Sequence, residues 1–231
     1  MRISNYLLIK YKSEGKIVDE QENVFDICYA SIGNDTSLWT PIATVKAIDQ
    51  QPGLLKPGDI ILVHCKNAGI WGTFYWCHAM LYIGNGLIIH SDGDGVHTEN
   101  LYHELNDLEN RFGEIENTAY LRVKSSLNPD ISAVISFAQE KEEEGRPYDM
   151  WSQFVFPSKQ KNPQDPSKPW WGYYCTELIW AAYMESSDDR INIEYTPDYS
   201  MIHGLEIYWR TDVLDRVFVT HEDEVPPPPA D

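Results

Sequence analysis

The sequence is poor in positive charge. Its 231 residues include 18 lysines and arginines against 36 aspartates and glutamates, which gives a formal net charge of −18. Nucleic acids and anionic lipid surfaces attract basic proteins and repel a chain of this charge. The composition therefore argues against nucleic acid or an anionic membrane as the main partner.

Long apolar runs are also missing. No segment approaches the roughly 20 apolar residues of a membrane-spanning helix, so we expect no integral membrane span. The apolar run within residues 1–10 is short for a secretory signal, and no small-residue cleavage site follows it. We therefore expect a soluble, cytoplasmic protein. In that compartment thiols are normally free, and the chain has four, at Cys28, Cys65, Cys77 and Cys175.

Several common functional motifs are absent. The sequence has neither a Gly-x-Ser-x-Gly nucleophile elbow nor a glycine-rich phosphate loop. Residues 92–95 resemble the start of a calcium loop, but Val96 stands where a ligand belongs and no glutamate closes the loop, so we interpret them as a tight turn. Four residues could act as zinc ligands, namely His64, Cys65, Cys77 and His78. Their spacing matches no standard zinc site. We expect neither a metal nor another cofactor.

The size and composition fit one globular domain with an extension. A Pro-Gly-Asp turn at residues 57–59 precedes an apolar run, and this is where a clear pattern of elements begins. We therefore interpret residues 1–53 as an N-terminal extension packed on the core and residues 54–220 as the main domain. Residues 221–231 contain four consecutive prolines, and we expect this tail to be disordered.

Two elements of the main domain carry residues with reactive side chains. The apolar runs 77–83 and 87–90 are joined by Gly84-Asn85-Gly86, which predicts a β-hairpin. Residues 175–182 predict a helix, since one face of it carries apolar residues at i, i+3, i+4 and i+7. A second helix is predicted from residue 131 to Gly145, and a further strand at 119–123.

Cys175 is expected in the first turn of its helix. The positive end of the helix dipole favours a thiolate and lowers the thiol pKa. His78 and His90 lie twelve residues apart at the far ends of the hairpin, where directly opposed Cβ atoms would be about 5 Å apart. These three residues suit a nucleophile, a base and an orienting group. A buried inert cysteine and structural histidines are the alternative interpretation.

Five segments in one order resemble the circularly permuted branch of the NlpC-type papain-like amidases, which includes lecithin:retinol acyltransferase-like proteins. The segments are residues 55–62, 78–86, 87–90, 145–149 and 174–179, and Thr196-Pro197-Asp198 resembles the closing segment of that branch. Ordinary NlpC-type enzymes place the cysteine helix before the histidine hairpin, whereas here His78 precedes Cys175. The resemblance covers about residues 54–220.

The resemblance implies an α+β, circularly permuted papain-like fold, with an antiparallel sheet packed against the helix that starts at Cys175. It implies that Cys175 is the nucleophile, that His78 is the general base and then the acid, and that His90 orients His78. Many permuted members carry glutamate at the third position, so Asp92 is a possible substitute for His90. The expected substrate contacts are aromatic, and they are Tyr148, Trp76, Tyr174 and Trp171.

The implied activity is hydrolysis of an amide bond in a small peptide-like or aminoacyl substrate through a thioacyl-enzyme. Two alternatives remain open. The same Cys–His site could serve an esterase, a thioesterase or a lipid acyltransferase. A non-catalytic, ligand-binding module of the same fold is the other alternative.

Overall fold

A computed structural model of the chain describes residues 54–69, 74–149, 172–195 and 202–229, together with short strands outside these ranges. The chain divides into two units, Met1–Leu54 and Leu55–Asp231. In the first unit the described elements are two antiparallel pairs of short strands. They are β1 (Lys16–Val18) with β2 (Val24–Asp26), and β3 (Tyr29–Ala30) with β4 (Thr40–Pro41).

A six-stranded antiparallel sheet forms the centre of the second unit. Its strands are β5 (Ile60–Cys65), β6 (His78–Gly84), β7 (Leu87–Asp92), β8 (Gly95–Asn100), β9 (Ile115–Val123) and β12 (Leu214–Val219). Their order across the sheet is β12-β9-β5-β6-β7-β8. A separate two-stranded pair consists of β10 (Gln160–Lys161) and β11 (Pro169–Trp170).

The predicted hairpin is confirmed as β6 and β7. Leu81 pairs with Ile89, and the register shifts between Tyr82 and Gly84 as the chain enters the turn. Asn85 and Gly86 have φ angles of 55° and 74° in the turn, a left-handed conformation that asparagine and glycine adopt at low cost. The hairpin could therefore be predicted from the sequence, because the residues of its turn are ones that favour this conformation.

Among the described residues four α-helices pack around the sheet: α1 (Leu101–Phe112), α2 (Ile131–Glu143), α3 (Cys175–Glu185) and α4 (Gly204–Trp209). Both α2 and α3 begin where the sequence predicted them. Asp130 caps α2 by accepting a hydrogen bond from the backbone of Ala133 at 3.0 Å. Short 3-10 helices occupy Ser125–Leu127 and Glu222–Glu224.

Two elements next to the hairpin, β8 and α1, were not predicted. Asn100 ends β8 and caps α1 by accepting a hydrogen bond from the backbone of Tyr102 at 3.0 Å. Leu101, Leu105 and Leu108 form the buried stripe of α1 at helical spacing. Charged and polar residues occupy most of the other positions, so this helix is amphipathic.

The helices cover both faces of the sheet. On one face Leu62, Ala79, Leu81 and Ile89 share a hydrophobic core with residues of α2 and α3. Because side chains alternate between faces along a strand, the residues between them face the opposite way. The helix α1 lies on that second face, where the Glu104 carboxylate reaches the rings of His78 and His90. The chain is therefore an α+β protein with an antiparallel sheet packed against the helix that begins at Cys175.

Part of the C-terminal tail is attached to the main domain. The backbone N–H and C=O groups of His221 bond to the side chain of buried Asn117 at 3.1 and 2.7 Å. Trp209 donates its indole N–H to the carbonyl of Pro226 at 2.8 Å. Within residues 221–229 the chain is thus hydrogen-bonded to the main domain, since proline still has a carbonyl group that can accept a hydrogen bond. Disorder of residues 221–231 as a whole stays a prediction.

Within the described ranges, no helix combines the length and the apolar composition needed to cross a membrane.

An ion pair between buried Asp59 and the partly exposed Arg122 joins the start of β5 to β9. Asp59, only 1% exposed, accepts bonds from Arg122 Nε at 2.7 Å and Nη2 at 2.6 Å, and from the backbone of Lys56 at 2.7 Å. Losing one partner leaves the other charge without compensation. We expect Asp59→Asn to lower the free energy of unfolding in urea by about 2–4 kcal/mol.

The matched control is Glu140→Gln, since Glu140 is an exposed carboxylate 3.3 Å from Lys141. Exposed pairs contribute little, so this change should cost less than about 0.5 kcal/mol. Equal losses in the two variants would show that the Asp59–Arg122 pair has no special role.

Candidate functional site

The rings of His78 and His90 meet inside the protein. His78 Nε2 lies 2.8 Å from His90 Nδ1, and the residues are 7% and 0% exposed. The predicted contact is present, although the two residues are not directly opposed. The last described pair of the β6–β7 ladder is Leu81–Ile89. The two strands thus carry the histidines just beyond the paired part of the hairpin.

Burial lowers the pKa of both imidazoles. The pKa of His78 falls well below its ordinary value, mainly through burial and then through the positive charges of His90 and Arg111. Burial is also the main cause of the lowered pKa of His90, and the nearby Glu99 opposes it. Near neutral pH both rings are therefore uncharged, and one ring donates an N–H to the acceptor nitrogen of the other.

Glu104 of α1 adds a carboxyl group to the histidine pair. It is 1% exposed, and its Oε1 atom lies 3.6 Å from His78 Nε2 and 3.8 Å from His90 Nδ1. Burial raises the pKa of Glu104 to about 8, against the lowering effect of Arg111, whose Nη2 is 3.3 Å away. Sequence reasoning missed this residue. The available signal was a charged residue inside the apolar stripe of a helix, directly before Leu105.

The second nitrogen of His90 faces a different set of residues. In the described part of the chain His90 Nε2 makes no hydrogen bond. Glu99 Oε2 is 3.7 Å away, and His97 stands directly opposite His90 on β8. The neighbouring ring of His90 is the main cause that lowers the pKa of Glu99 to about 2; burial opposes this shift and His103 adds to it. This carboxylate is thus ionised at any ordinary pH.

Cys175 occupies the first turn of α3, as predicted. The helix N-terminus is fixed by Glu177, whose carboxylate accepts the backbone N–H of Tyr174 at 3.3 Å. The backbone groups of Ala79, Thr176 and Cys175 itself hydrogen-bond to the sulfur. The thiol is thus held at the helix start and against the strand that carries His78.

The pKa of Cys175 differs from the sequence prediction. Burial raises it to about 11, although the surrounding backbone N–H groups lower it. The prediction of a thiol pKa below the ordinary value is therefore wrong for this conformation. The helix dipole and the N–H groups stabilise the thiolate, but burial of the sulfur destabilises it by a larger free energy.

Cys175 and His78 approach β6 from different sides. Cys175 packs on the core that contains Ala79 and Leu81, whereas the ring of His78 lies beside Glu104 of α1. Among the described residues no hydrogen bond joins the thiol to either histidine. The sulfur instead reaches the backbone N–H of Ala79, the residue that follows His78.

Other predicted site residues have mainly packing contacts. Trp76 is buried in the core against Gly204, where an added Cβ would lie 2.5 Å from Trp76 Cβ. Tyr174 is also buried, and its hydroxyl accepts the backbone N–H of Ile202 at 2.9 Å. Both rings are therefore packed in the interior, and their role as substrate contacts stays a prediction.

The remaining predictions have separate outcomes. Tyr148 is partly buried and forms an isolated β-bridge with Tyr173. Trp171 and residues 196–198 lie outside the described residues. Asp92, the proposed substitute for His90, is 3.5 Å from Arg111 and accepts the backbone N–H of Asp94 at 3.0 Å. Glu104, rather than Asp92, supplies the carboxyl group that lies next to both histidines.

The four residues considered for zinc do not converge. His64 Nδ1 contacts the carbonyl of Tyr75, and His78 faces His90. Cys77 donates its S–H to Cys65 Sγ at 2.7 Å, and this contact is the largest cause of the raised pKa of Cys77. The predicted tight turn at residues 92–95 is confirmed as the β7–β8 connection.

The raised pKa of Cys175 predicts slow alkylation that accelerates with pH. From about pH 6.5 to 9.5 the labelling rate with iodoacetamide should rise about tenfold per pH unit without a plateau, because only the thiolate reacts. Peptide mass spectrometry measures the rate at Cys175, with Cys77 as the internal comparison. A plateau for Cys175 near pH 7 would contradict the raised pKa.

Comparison with family models, with curated proteins and with solved structures finds no match to this chain. Its function must therefore be argued from the geometry of the site.

Proposed function

We propose that this chain is a cysteine-dependent hydrolase with a circularly permuted papain-like fold. It would cleave an amide bond of a small peptide-like or aminoacyl substrate through a thioacyl-enzyme. One observation carries the proposal. His78 and His90 form a buried pair of neutral imidazoles, with His78 Nε2 2.8 Å from His90 Nδ1. The residue after His78 is Ala79, whose backbone N–H binds the sulfur of Cys175. Cys175, His78 and His90 are thus all near the same end of β6, with the thiol on one side of the strand and the imidazoles on the other.

The roles follow from the proton positions. When His78 Nε2–H donates to His90 Nδ1, the other nitrogen of His78 is free to accept a proton. His78 Nδ1 would take the thiol proton as the sulfur attacks the substrate carbonyl. It would then give that proton to the departing amine, which leaves a thioester on Cys175. Water attacks this thioester with His78 again as base, and the acid product leaves.

The proton transfer requires the thiol and His78 to come within hydrogen-bond reach. The β6–β7 ladder ends at Leu81–Ile89, so the backbone around Ala79 is not held by β7. A substrate carbonyl that takes over the backbone N–H of Ala79 or Cys175 would release the sulfur from these donors. We propose that substrate binding moves Cys175 and His78 together at this open end.

The experiment is a hydrolysis panel. Aminoacyl and short peptide p-nitroanilides and amides are compared with p-nitrophenyl esters and long-chain acyl esters, each with Cys175→Ser as the blank. The proposal expects thiol-dependent release of amine from at least one class of small amide. Turnover of long-chain esters, with every amide left intact, would favour the esterase or lipid acyltransferase alternative.

A non-catalytic binding module is the second candidate. Two observations favour it: the thiol does not hydrogen-bond to His78 among the described residues, and burial raises the pKa of Cys175 to about 11. Such a module would bind small amides or peptides without turnover, and Cys175→Ser would bind them equally well. Calorimetry on both proteins with the same panel separates a binding module from an enzyme.

A further inference from the structure

Three potential metal ligands converge on the solvent side of His90. His90, His97 and Glu99 place one ligand atom each within 4.8 Å of one another, and we name them the β7–β8 cluster. Glu99 Oε2 is 3.7 Å from His90 Nε2 and 3.7 Å from His97 Nε2. The antiparallel register creates this arrangement, because His97 lies opposite His90 and Glu99 follows two residues later on the same face.

One ligand atom of the cluster is buried without a partner. His90 is 0% exposed, and its Nε2 atom makes no hydrogen bond within the described ranges. A buried nitrogen normally has a hydrogen-bond partner, and this one faces another imidazole and a carboxylate, so it is available to bind a ligand held between the three groups. His97 is 30% exposed at its side chain, which leaves the cluster accessible from solvent.

We propose that the β7–β8 cluster binds a divalent transition-metal ion, with Zn²⁺ as the best-suited ion and water as the remaining ligand. Two imidazole nitrogens and one carboxylate oxygen are the donors of many zinc sites that keep an open position. Two ligands about 2.0–2.1 Å from zinc at the tetrahedral angle are roughly 3.3 Å apart. The two distances of 3.7 Å that involve Glu99 need a contraction of only a few tenths of an ångström, and the two imidazole ligand atoms lie within 4.8 Å of each other.

The position of the site implies control of the proposed hydrolase, and this step depends on the function proposed above. A metal on His90 Nε2 leaves the ring proton on Nδ1, from which it donates to His78 Nε2. His78 then carries its own proton on Nδ1 and cannot accept the thiol proton of Cys175. The metal-bound protein is therefore inactive, and removal of the metal restores the tautomer that catalysis needs.

Equilibrium dialysis of the full chain with Zn²⁺ tests the site independently of activity. The wild type, stripped of metal, should take up one equivalent that His97→Ala and Glu99→Ala each weaken by at least about 100-fold, since each variant removes a ligand. His64→Ala and Cys77→Ser are the controls, and both should bind as the wild type does. Circular dichroism confirms that each variant is folded.

Two results would overturn the metal site. One is wild-type affinity in both His97→Ala and Glu99→Ala. The other is loss of binding in Cys77→Ser, or an intense sulfur-to-metal charge-transfer band with Co²⁺, since either places cysteine among the ligands. The regulatory step has its own outcome: Zn²⁺ should inhibit hydrolysis by the wild type and not by His97→Ala. Equal inhibition of the wild type and His97→Ala would overturn the regulatory step. The existence of the metal site would still be decided by the dialysis result.

Discussion

Replacing Cys175 by serine should lower kcat for amide hydrolysis by at least about 10⁴-fold, because a hydroxyl without the thiol's acidity cannot form the acyl-enzyme at this site. The change is nearly isosteric and lies in the first turn of α3, where the backbone N–H groups of Ala79 and Thr176 can still bond to an oxygen. The fold should therefore be preserved, as measured by circular dichroism and by urea unfolding.

The matched control for this variant is Cys77→Ser. Cys77 is partly buried, as Cys175 is, and its sulfur bonds to the sulfur of Cys65. It should retain activity within a few-fold of the wild type. If Cys77→Ser lost turnover while Cys175→Ser kept full activity, the nucleophile would be Cys77, which would contradict the proposal.

His78→Gln should separate amide from ester chemistry. An amine leaves only when it is protonated, so loss of the acid should reduce amide turnover by about 10³–10⁴-fold. A p-nitrophenolate ion leaves without a proton, and the loss for its ester should be smaller, about 10–100-fold. The measurement is kcat/KM for a matched amide and ester with the same acyl group.

Glutamine can still accept or donate toward His90 Nδ1, which keeps the buried hydrogen bond of 2.8 Å possible in His78→Gln. His64→Gln is the control, because His64 contacts the carbonyl of Tyr75 away from this pair. If kcat/KM fell equally for the amide and the ester, His78 would not be the general acid and would have only a structural role.

The sequence predicted those parts of the site that depend on local patterns. The Gly84-Asn85-Gly86 turn specified the hairpin and thereby brought His78 and His90 together. The apolar spacing after Tyr174 specified the start of α3 and the place of Cys175 in its first turn. Both signals act over fewer than about a dozen residues, which is the range over which turn chemistry and helical periodicity are informative.

The parts that were missed depend on packing between distant elements. Glu104 and Glu99 acquire their roles only because α1 and β8 fold back beside the hairpin. The pKa of Cys175 was predicted with the wrong sign, because the helix N-terminus is a local feature and burial beneath the sheet is not. The faces on which Cys175 and His78 lie also follow from the register of the whole sheet rather than from either segment.

The proposed metal site departs from the expectation that no metal is needed. That expectation came from cysteine and histidine spacing in the sequence, whereas the β7–β8 cluster is assembled across two strands by His90 and His97. The two proposals share His90 but use different nitrogens, Nδ1 for catalysis and Nε2 for the metal. They can therefore be tested separately.

Trapping of the acyl-enzyme is the most direct test of the proposed function. The metal-free protein is mixed with a reactive amide or p-nitrophenyl ester, quenched in acid and examined by intact-protein and peptide mass spectrometry. The proposal predicts a mass increase equal to the acyl group, located on Cys175, removed by hydroxylamine as thioesters are, and absent from Cys175→Ser. Hydrolysis that continues without any adduct on Cys175, or with an adduct on another residue, would contradict it.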